Sequence, residues 1–351
     1  MSACSLARAG RWFLESGIQE SSGGVARFYR SEISSNKPVS TEITGYTASA
    51  LAWLFTVTKD EAYLDRARLT ARFLTDRAWD PQLKTFPFEY PSNLTYFFDC
   101  GIIVRGLMAV WRETREERLL AIAHETCRSM IRDFGAGAEC HPILELPSKA
   151  PLERTPQWSR SPGCYQLKAA LAWFDVAEET GDAALRTAWE TSLAAALESH
   201  ARFLPQETDE TTRYGVMDRL HAYSYFLEAL TAVLDRPECR SAYATAMAAV
   251  ERHLRQIAPV FVRSDVYAQL LRARLNGQEV VPLDVAAAAA EADALRTFQC
   301  ASDDPRIDGG FSFGRRDGVL SPHINPVSTA FAMQALEMWQ RGTKLCRHLL
   351  I

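Results

Sequence analysis

Apolar residues recur along this chain at helical spacing, in segments that alternate between nearly all-apolar and one-sided. The segment 47–58 is apolar throughout and is followed, after the polar break Lys59-Asp60, by Glu61–Arg77, whose Tyr63, Ala67, Phe73 and Leu74 fall on one side. The same couplet returns downstream. Phe98 to Arg112 is followed by a helix ending near Phe134, Gly163–Glu179 by Ala183–Phe203, and Ala222–Leu234 by Glu238–Ile257. Val266–Leu275 is then followed by Pro282–Thr297. A single amphipathic stretch with Leu6, Ala9, Trp12, Phe13 and Ile18 precedes the series, and Pro326–Gln340 closes it.

The apolar members share a local pattern near their middles, as in Ser49-Ala50-Leu51, Ala169-Ala170-Leu171 and Gln334-Ala335-Leu336. Copies recur every 45 to 65 residues or so, the mark of degenerate helical-hairpin repeats. Pairing the first helix with the last adds a sixth hairpin to the internal five. The pattern therefore predicts an all-α fold, an (α/α)6 toroid in which residues 1–351 form one domain. The apolar helices make the inner ring, and the charged partners, such as Lys59–Arg77, the outer one. Gly135–Ser161, with Pro142, Pro147, Pro151 and Pro156, is expected to be non-helical.

Parallel inner helices gather their N-termini at one end of such a ring, where free N–H groups and dipole ends favour a ligand. The segments leading into those helices are rich in polar and aromatic residues. The opposite turns, Thr58-Lys59-Asp60, Thr114-Arg115-Glu116 and Thr180-Gly181-Asp182, are short and plain. Carboxylates beside aromatic faces suit a sugar: the faces stack on a pyranose, and a pair of acids supplies proton donor and base or nucleophile. Asp99, Asp218 and Glu42 are the candidate acids, with His221 as a candidate base. Tyr46, Glu89, Tyr96, Trp158, Arg219, Tyr223, Asp308, Phe313, His323 and Asn325 are candidate substrate contacts. An acid ahead of a helix is equally suited to capping it, and a histidine at a helix start to a structural hydrogen bond. Glu228 and Arg272, inside apolar helices, are expected to pair with a nearby opposite charge.

Charge and composition narrow the partners. With 351 residues, 47% hydrophobic, and a net charge of -4, the chain offers no concentrated basic surface for nucleic acid. No apolar run approaches a membrane span. The first 20 residues are interrupted by Arg8, Arg11 and Glu15 and do not read as an export signal, so a cytoplasmic location with reduced thiols is expected. There is no HExxH, no GxGxxG and no GxxxxGK[ST], so neither a metal nor a nucleotide cofactor is implied. Gly309-Gly310 is expected to form a tight turn beside a ligand or another backbone.

Two resemblances follow from these residues. The hairpins carrying Thr44-Gly45-Tyr46, Phe98-Asp99-Cys100-Gly101 and the run 177–182 (AEETGD) resemble the six-hairpin glycosidase superfamily, which includes uronyl hydrolases and sugar epimerases. Asp308-Gly309-Gly310-Phe311, followed by a helix with Gln334-Ala335-Leu336, resembles the repeat of terpenoid cyclases and prenyltransferases. Both groups share the toroid. The first implies a carbohydrate-active hydrolase, lyase or epimerase acting without a cofactor on a sugar or oligosaccharide. The second implies an isoprenoid substrate, although the acid motifs DxDD and DDxxD are not present. A sugar-binding scaffold without chemistry is the third expectation.

Overall fold

The computed structural model describes residues 3–137, 139–206, 212–258 and 260–351; part of the predicted loop Pro205–Arg213 lies outside them. Its contacts divide the chain into two units. One comprises 18–27 and 37–196, the other 1–17, 28–36 and 197–351.

The first unit holds the helices α2 (Thr41–Thr58), α3 (Glu61–Phe73), α4 (Phe97–Thr114), α5 (Glu117–Phe134) and α6 (Leu167–Thr180). It also holds most of α7 (Ala183–Ser199). The helices pair as predicted: α2 packs on α3, α4 on α5, and Phe174 of α6 stacks on Trp189 of α7 at 5.2 Å. The three hairpin turns share one chemistry. Thr58, Thr114 and Thr180 each donate a hydroxyl hydrogen bond to the carbonyl four residues back. Each hydroxyl also accepts from the backbone N–H two residues on, at Asp60, Glu116 and Asp182. The residue between takes the left-handed conformation that ends a helix, at Lys59, Arg115 and Gly181. The sequence Thr-X-acid thus stops one helix and starts the next.

Glycines let α2, α4 and α6 touch backbone to backbone. A Cβ on Gly45 would stand 2.8 Å from the Ile103 Cα, and one on Gly101 2.4 Å from the Ala169 carbonyl oxygen. Arg105 of α4 reaches Asp175 of α6 through a buried 3.2 Å ion pair. The predicted non-helical stretch after α5 forms short strands. One of these, Ile143–Glu145, pairs with Leu94–Tyr96 so that Tyr96 lies opposite Ile143.

The second unit holds α1 (Ala3–Glu15), α8 (Arg213–Leu230), α9 (Pro237–Ile257), α10 (Ser264–Asn276), α11 (Val285–Arg296) and α12 (Pro326–Arg341). Within it α8 pairs with α9, α10 with α11, and α1 packs on α12, as expected for the first and last helices. The sheet formed by Phe261–Arg263, Gly314–Arg316 and Val319–Leu320 leads straight into α10. Glu228 and Arg272 pair with each other, and the Arg272 guanidinium lies 4.0 Å from the Phe331 ring centre. Gly309, at φ 86°, does meet another backbone: a Cβ there would stand 2.3 Å from the Arg8 carbonyl oxygen. Among the described residues no helix is long and apolar enough to cross a membrane.

Candidate functional site

The first unit brings Glu42 and Asp99 together. α2 begins at Thr41, six residues before the predicted start, because Ser40 caps it by accepting the Ile43 N–H. Glu42 therefore sits in the first helical turn rather than in a leading loop, and Asp99 holds the corresponding place on α4. The close packing of the two helices at their glycines sets these turns side by side.

Asp99 is 5% exposed, and among the described residues its Oδ2 is buried with no hydrogen-bond partner. Burial drives its carboxyl well above the usual range, and the neighbouring Glu42 charge adds to the rise. Arg27 opposes both effects. Glu42 is half-buried, and the same desolvation lifts it to about 7 against the pull of Arg27. A helix N-terminus favours the ionised form of a carboxylate; here desolvation outweighs it. The pair consequently keeps a proton near neutral pH, one group able to donate while the other accepts.

Arg27 is the residue missed from the sequence. Thr44 places it: its hydroxyl accepts the Val25 N–H at 3.0 Å and donates to the Ser40 carbonyl at 2.7 Å, joining the segment before Arg27 to the start of α2. From there Arg27 lies 3.6 Å from Glu89 and 5.4 Å from the Phe88 ring centre. The Phe88 ring lies 4.9 Å from that of Tyr96. The Tyr96 hydroxyl is pushed up by burial and by Asp99, while Arg160 and Arg27 pull it down. Glu89 is thus linked to the acid pair through Arg27, and Tyr96 through the Asp99 charge. Trp158 lies edge-on to Tyr165 at 5.1 Å, and Tyr165 feels the Asp99 charge. Tyr46 is buried one turn further along α2.

A second polar cluster occupies the other unit. Arg263, at the end of its strand, donates through Nε and Nη2 to the Asp265 carboxylate at 3.0 and 2.6 Å. Its Nη1 donates to Asp218 at 2.9 Å. Burial lowers the guanidinium pKa, but these two acids more than reverse that. Asp265 is held below its ordinary range: burial raises it, and Arg263 followed by His221 outweighs burial. The His221 Nδ1 lies 2.9 Å from Gln269 Oε1 and 3.4 Å from Asp265 Oδ2. With two acceptor oxygens facing it, Nδ1 carries the hydrogen and Nε2 holds the lone pair. Burial and then Arg263 depress His221 to about 4, so the ring is neutral at physiological pH. Asp218 and His221 both lie inside α8, which starts at Arg213, earlier than the predicted Ala222.

The remaining candidates in this unit are dispersed. Arg219 donates to the Phe203 carbonyl, and the Tyr223 hydroxyl meets His200 Nδ1 at 3.0 Å. Phe313 lies under the Arg263 guanidinium at 4.6 Å, and His323 packs on Phe28 at 4.7 Å. Asp308 pairs with Arg8 at 2.6 Å, and Asn325 caps α12 by accepting the Val327 and Ser328 N–H groups. Among the described residues no group of three or more His, Cys, Asp or Glu side chains gathers as a metal-ligand set.

No protein-family model and no curated protein matches the sequence. Solved structures do match. A sugar epimerase from a ruminal bacterium superposes with a TM-score of 0.73 at 9% identity, over 96% of this chain and 99% of that one. Cellobiose 2-epimerase from Bacillus thermoamylovorans B4167 gives 0.69 at 14% identity, over 93% and 95%. The unsaturated glucuronyl hydrolase of Bacillus sp. GL1 gives 0.67 at 14% identity, over 97% of both chains. These neighbours are carbohydrate-processing members of the six-hairpin glycosidase superfamily. The likeness shows the fold of this chain, all-α and of the (α/α)6 toroid type.

Proposed function

We propose that the chain is a carbohydrate-active enzyme, one (α/α)6 toroid domain that cleaves a glycosidic bond with Asp99 and Glu42 as its acid and base. The observation that carries this reading is the placing of these two carboxyls, both raised by burial, on the first turns of adjoining helices. Asp99, the more deeply buried, is the proton donor to the leaving oxygen; Glu42, half-buried, accepts a proton from water. Tyr96, Phe88 and Trp158 offer ring faces to the sugar. Arg27 holds the pair's acidity and, with Glu89, meets hydroxyl or carboxylate groups.

A second reading, epimerisation, draws on His221. Its neutral ring, fixed through Nδ1, leaves Nε2 as a base for removing a proton next to a sugar carbonyl. Asp218, Arg219, Tyr223, Asp308, Phe313, His323 and Asn325 belong to this reading or to the scaffold.

The test is turnover of an unsaturated glucuronyl disaccharide and of cellobiose by the wild type, Asp99→Asn and His221→Asn. Loss of cleavage in Asp99→Asn, with His221→Asn still active, supports the first reading. Interconversion of cellobiose that is lost only in His221→Asn replaces it with the second. Turnover of both sugars unaffected by either change overturns the roles given to Asp99 and His221.

A further inference from the structure

A cavity of about 470 Å³ lies in the first unit and is not part of the acid site. Its walls come from the turn after α3, from the segment 86–96, and from Leu146-Pro147. The volume falls within the range of small-molecule pockets, about 300–1,000 Å³.

The cavity is preformed. The turn is held by the Asp80 Oδ1, which accepts the Gln82 and Leu83 N–H groups at 2.9 and 2.8 Å. The segment 86–96 is tied on both sides. Thr41 donates its hydroxyl to the Pro87 carbonyl at 2.6 Å, the Tyr90 N–H reaches the Val39 carbonyl, and the Leu146 N–H the Asn93 carbonyl. This strap has two faces. Phe88 and Tyr96 turn toward Arg27 and the acid pair, while Pro87, Tyr90 and Asn93 line the cavity.

The lining has the chemistry of a sugar subsite. Trp79 is half-buried and braced by Phe86 at 5.1 Å, and Tyr90 is 46% exposed although it is large and aromatic. Rings of this kind present an apolar face and a polar edge together. Gln82 and Asn93 add amides that can donate and accept, which suits vicinal hydroxyls. Arg77 is the only cationic side chain in the described lining, too little for a phosphate-rich ligand.

We propose that this cavity is a second saccharide-binding pocket, taking one or two pyranose units of an oligosaccharide between Trp79 and Tyr90. It rests on the carbohydrate reading above, and it implies a substrate longer than a monosaccharide.

Hydroxyl-radical footprinting with mass spectrometry tests this, using cellotetraose and an unsaturated glucuronyl tetrasaccharide as ligands. The expected result is a several-fold fall in oxidation of Trp79 and Tyr90 with at least one of them. Tyr90→Ala removes a ring that is largely exposed and packs edge-on against Phe73 at 5.7 Å; it is expected to remove the protection of Trp79 while leaving that of Tyr96. Asp99→Asn is expected to keep the protection of Trp79. Protection of Tyr96 or Trp158 with Trp79 unchanged overturns the second pocket and leaves the carbohydrate reading standing. Unchanged oxidation at all four residues with both saccharides overturns both.

Discussion

Gly106 lies so close to Gly45 that a Cβ built on it would stand 2.4 Å from the Gly45 carbonyl oxygen. The atom in the way is backbone, so relief requires moving α2 against α4. Gly106→Ala is expected to destabilise the fold by about 3 kcal/mol, the upper end of overpacking costs. Urea unfolding measures it. Because the same contact sets the spacing of Glu42 and Asp99, activity is expected to fall further than stability accounts for.

Asp99→Asn keeps the shape of the side chain and removes its proton chemistry. The kcat/KM for cleavage is expected to drop by about 10²–10⁴-fold, the usual scale for a lost general acid. Stability moves the other way. A carboxyl raised in the folded state binds more protons there than in the unfolded chain, so its contribution is full at low pH and declines as pH rises. For Glu42 that window runs from 4.5 to about 7; for Asp99 it opens at 3.8 and extends upward. The contribution of the acid pair is therefore expected to decline across this range, so that Asp99→Asn gains on the wild type as pH rises. Melting curves of both proteins at pH values spanning the window would expose the difference as a gap that widens with pH.

Arg27→Gln removes the positive charge that restrains both carboxyls. Both are expected to rise further, carrying the alkaline limb of the kcat/KM profile to higher pH. The Arg27–Glu89 pair is well exposed at 3.6 Å, so the stability change should be about 0–1 kcal/mol. An unmoved alkaline limb would remove Arg27 from its assigned part.

His221 is expected to remain neutral down to about pH 4, with its hydrogen on Nδ1. Imidazole ¹⁵N shifts report both properties directly. Its depressed pKa means that the unfolded chain binds the extra proton between 6.5 and about 4, so stability falls as pH drops through that interval. Arg263→Gln takes away a nearby repelling charge, and the His221 pKa is expected to increase.

The hairpins were legible because their punctuation is local. A threonine, a left-handed residue and an acid fit in three positions and repeat at Thr58, Thr114 and Thr180. Glu42, Asp99 and Tyr96 could be singled out because each sits at an inner-helix start, whereas the sequence does not show that Asp218, equally a candidate acid, falls in a separate cluster with Arg263. The starts of α2 and α8 lie ahead of the apolar runs that mark these helices in the sequence. For α2 the apolar run begins well after its Ser40 cap; for α8 Thr212 makes no side-chain cap bond. Arg27 and Arg263 gave no signal of their own. Each is one arginine in a connecting segment, and each meets an acid distant in sequence only after folding, Arg27 near Glu42 and Arg263 at Asp218. The cavity at Trp79 was equally hidden, since its two rings belong to a turn and a strap that meet only after folding.

The Thr44 hydroxyl, which fastens Val25 to the beginning of α2, separates two kinds of heritable change. The carboxyls are built into helices whose glycine contacts tolerate little. The charge that opposes the rise in their pKa comes from Arg27, at the end of a segment fastened by the Thr44 hydroxyl, the Gln19 amide and several backbone bonds. On the proposed reading, the working pH of the acid pair is adjustable from position 27 without altering the helices that carry the carboxyls.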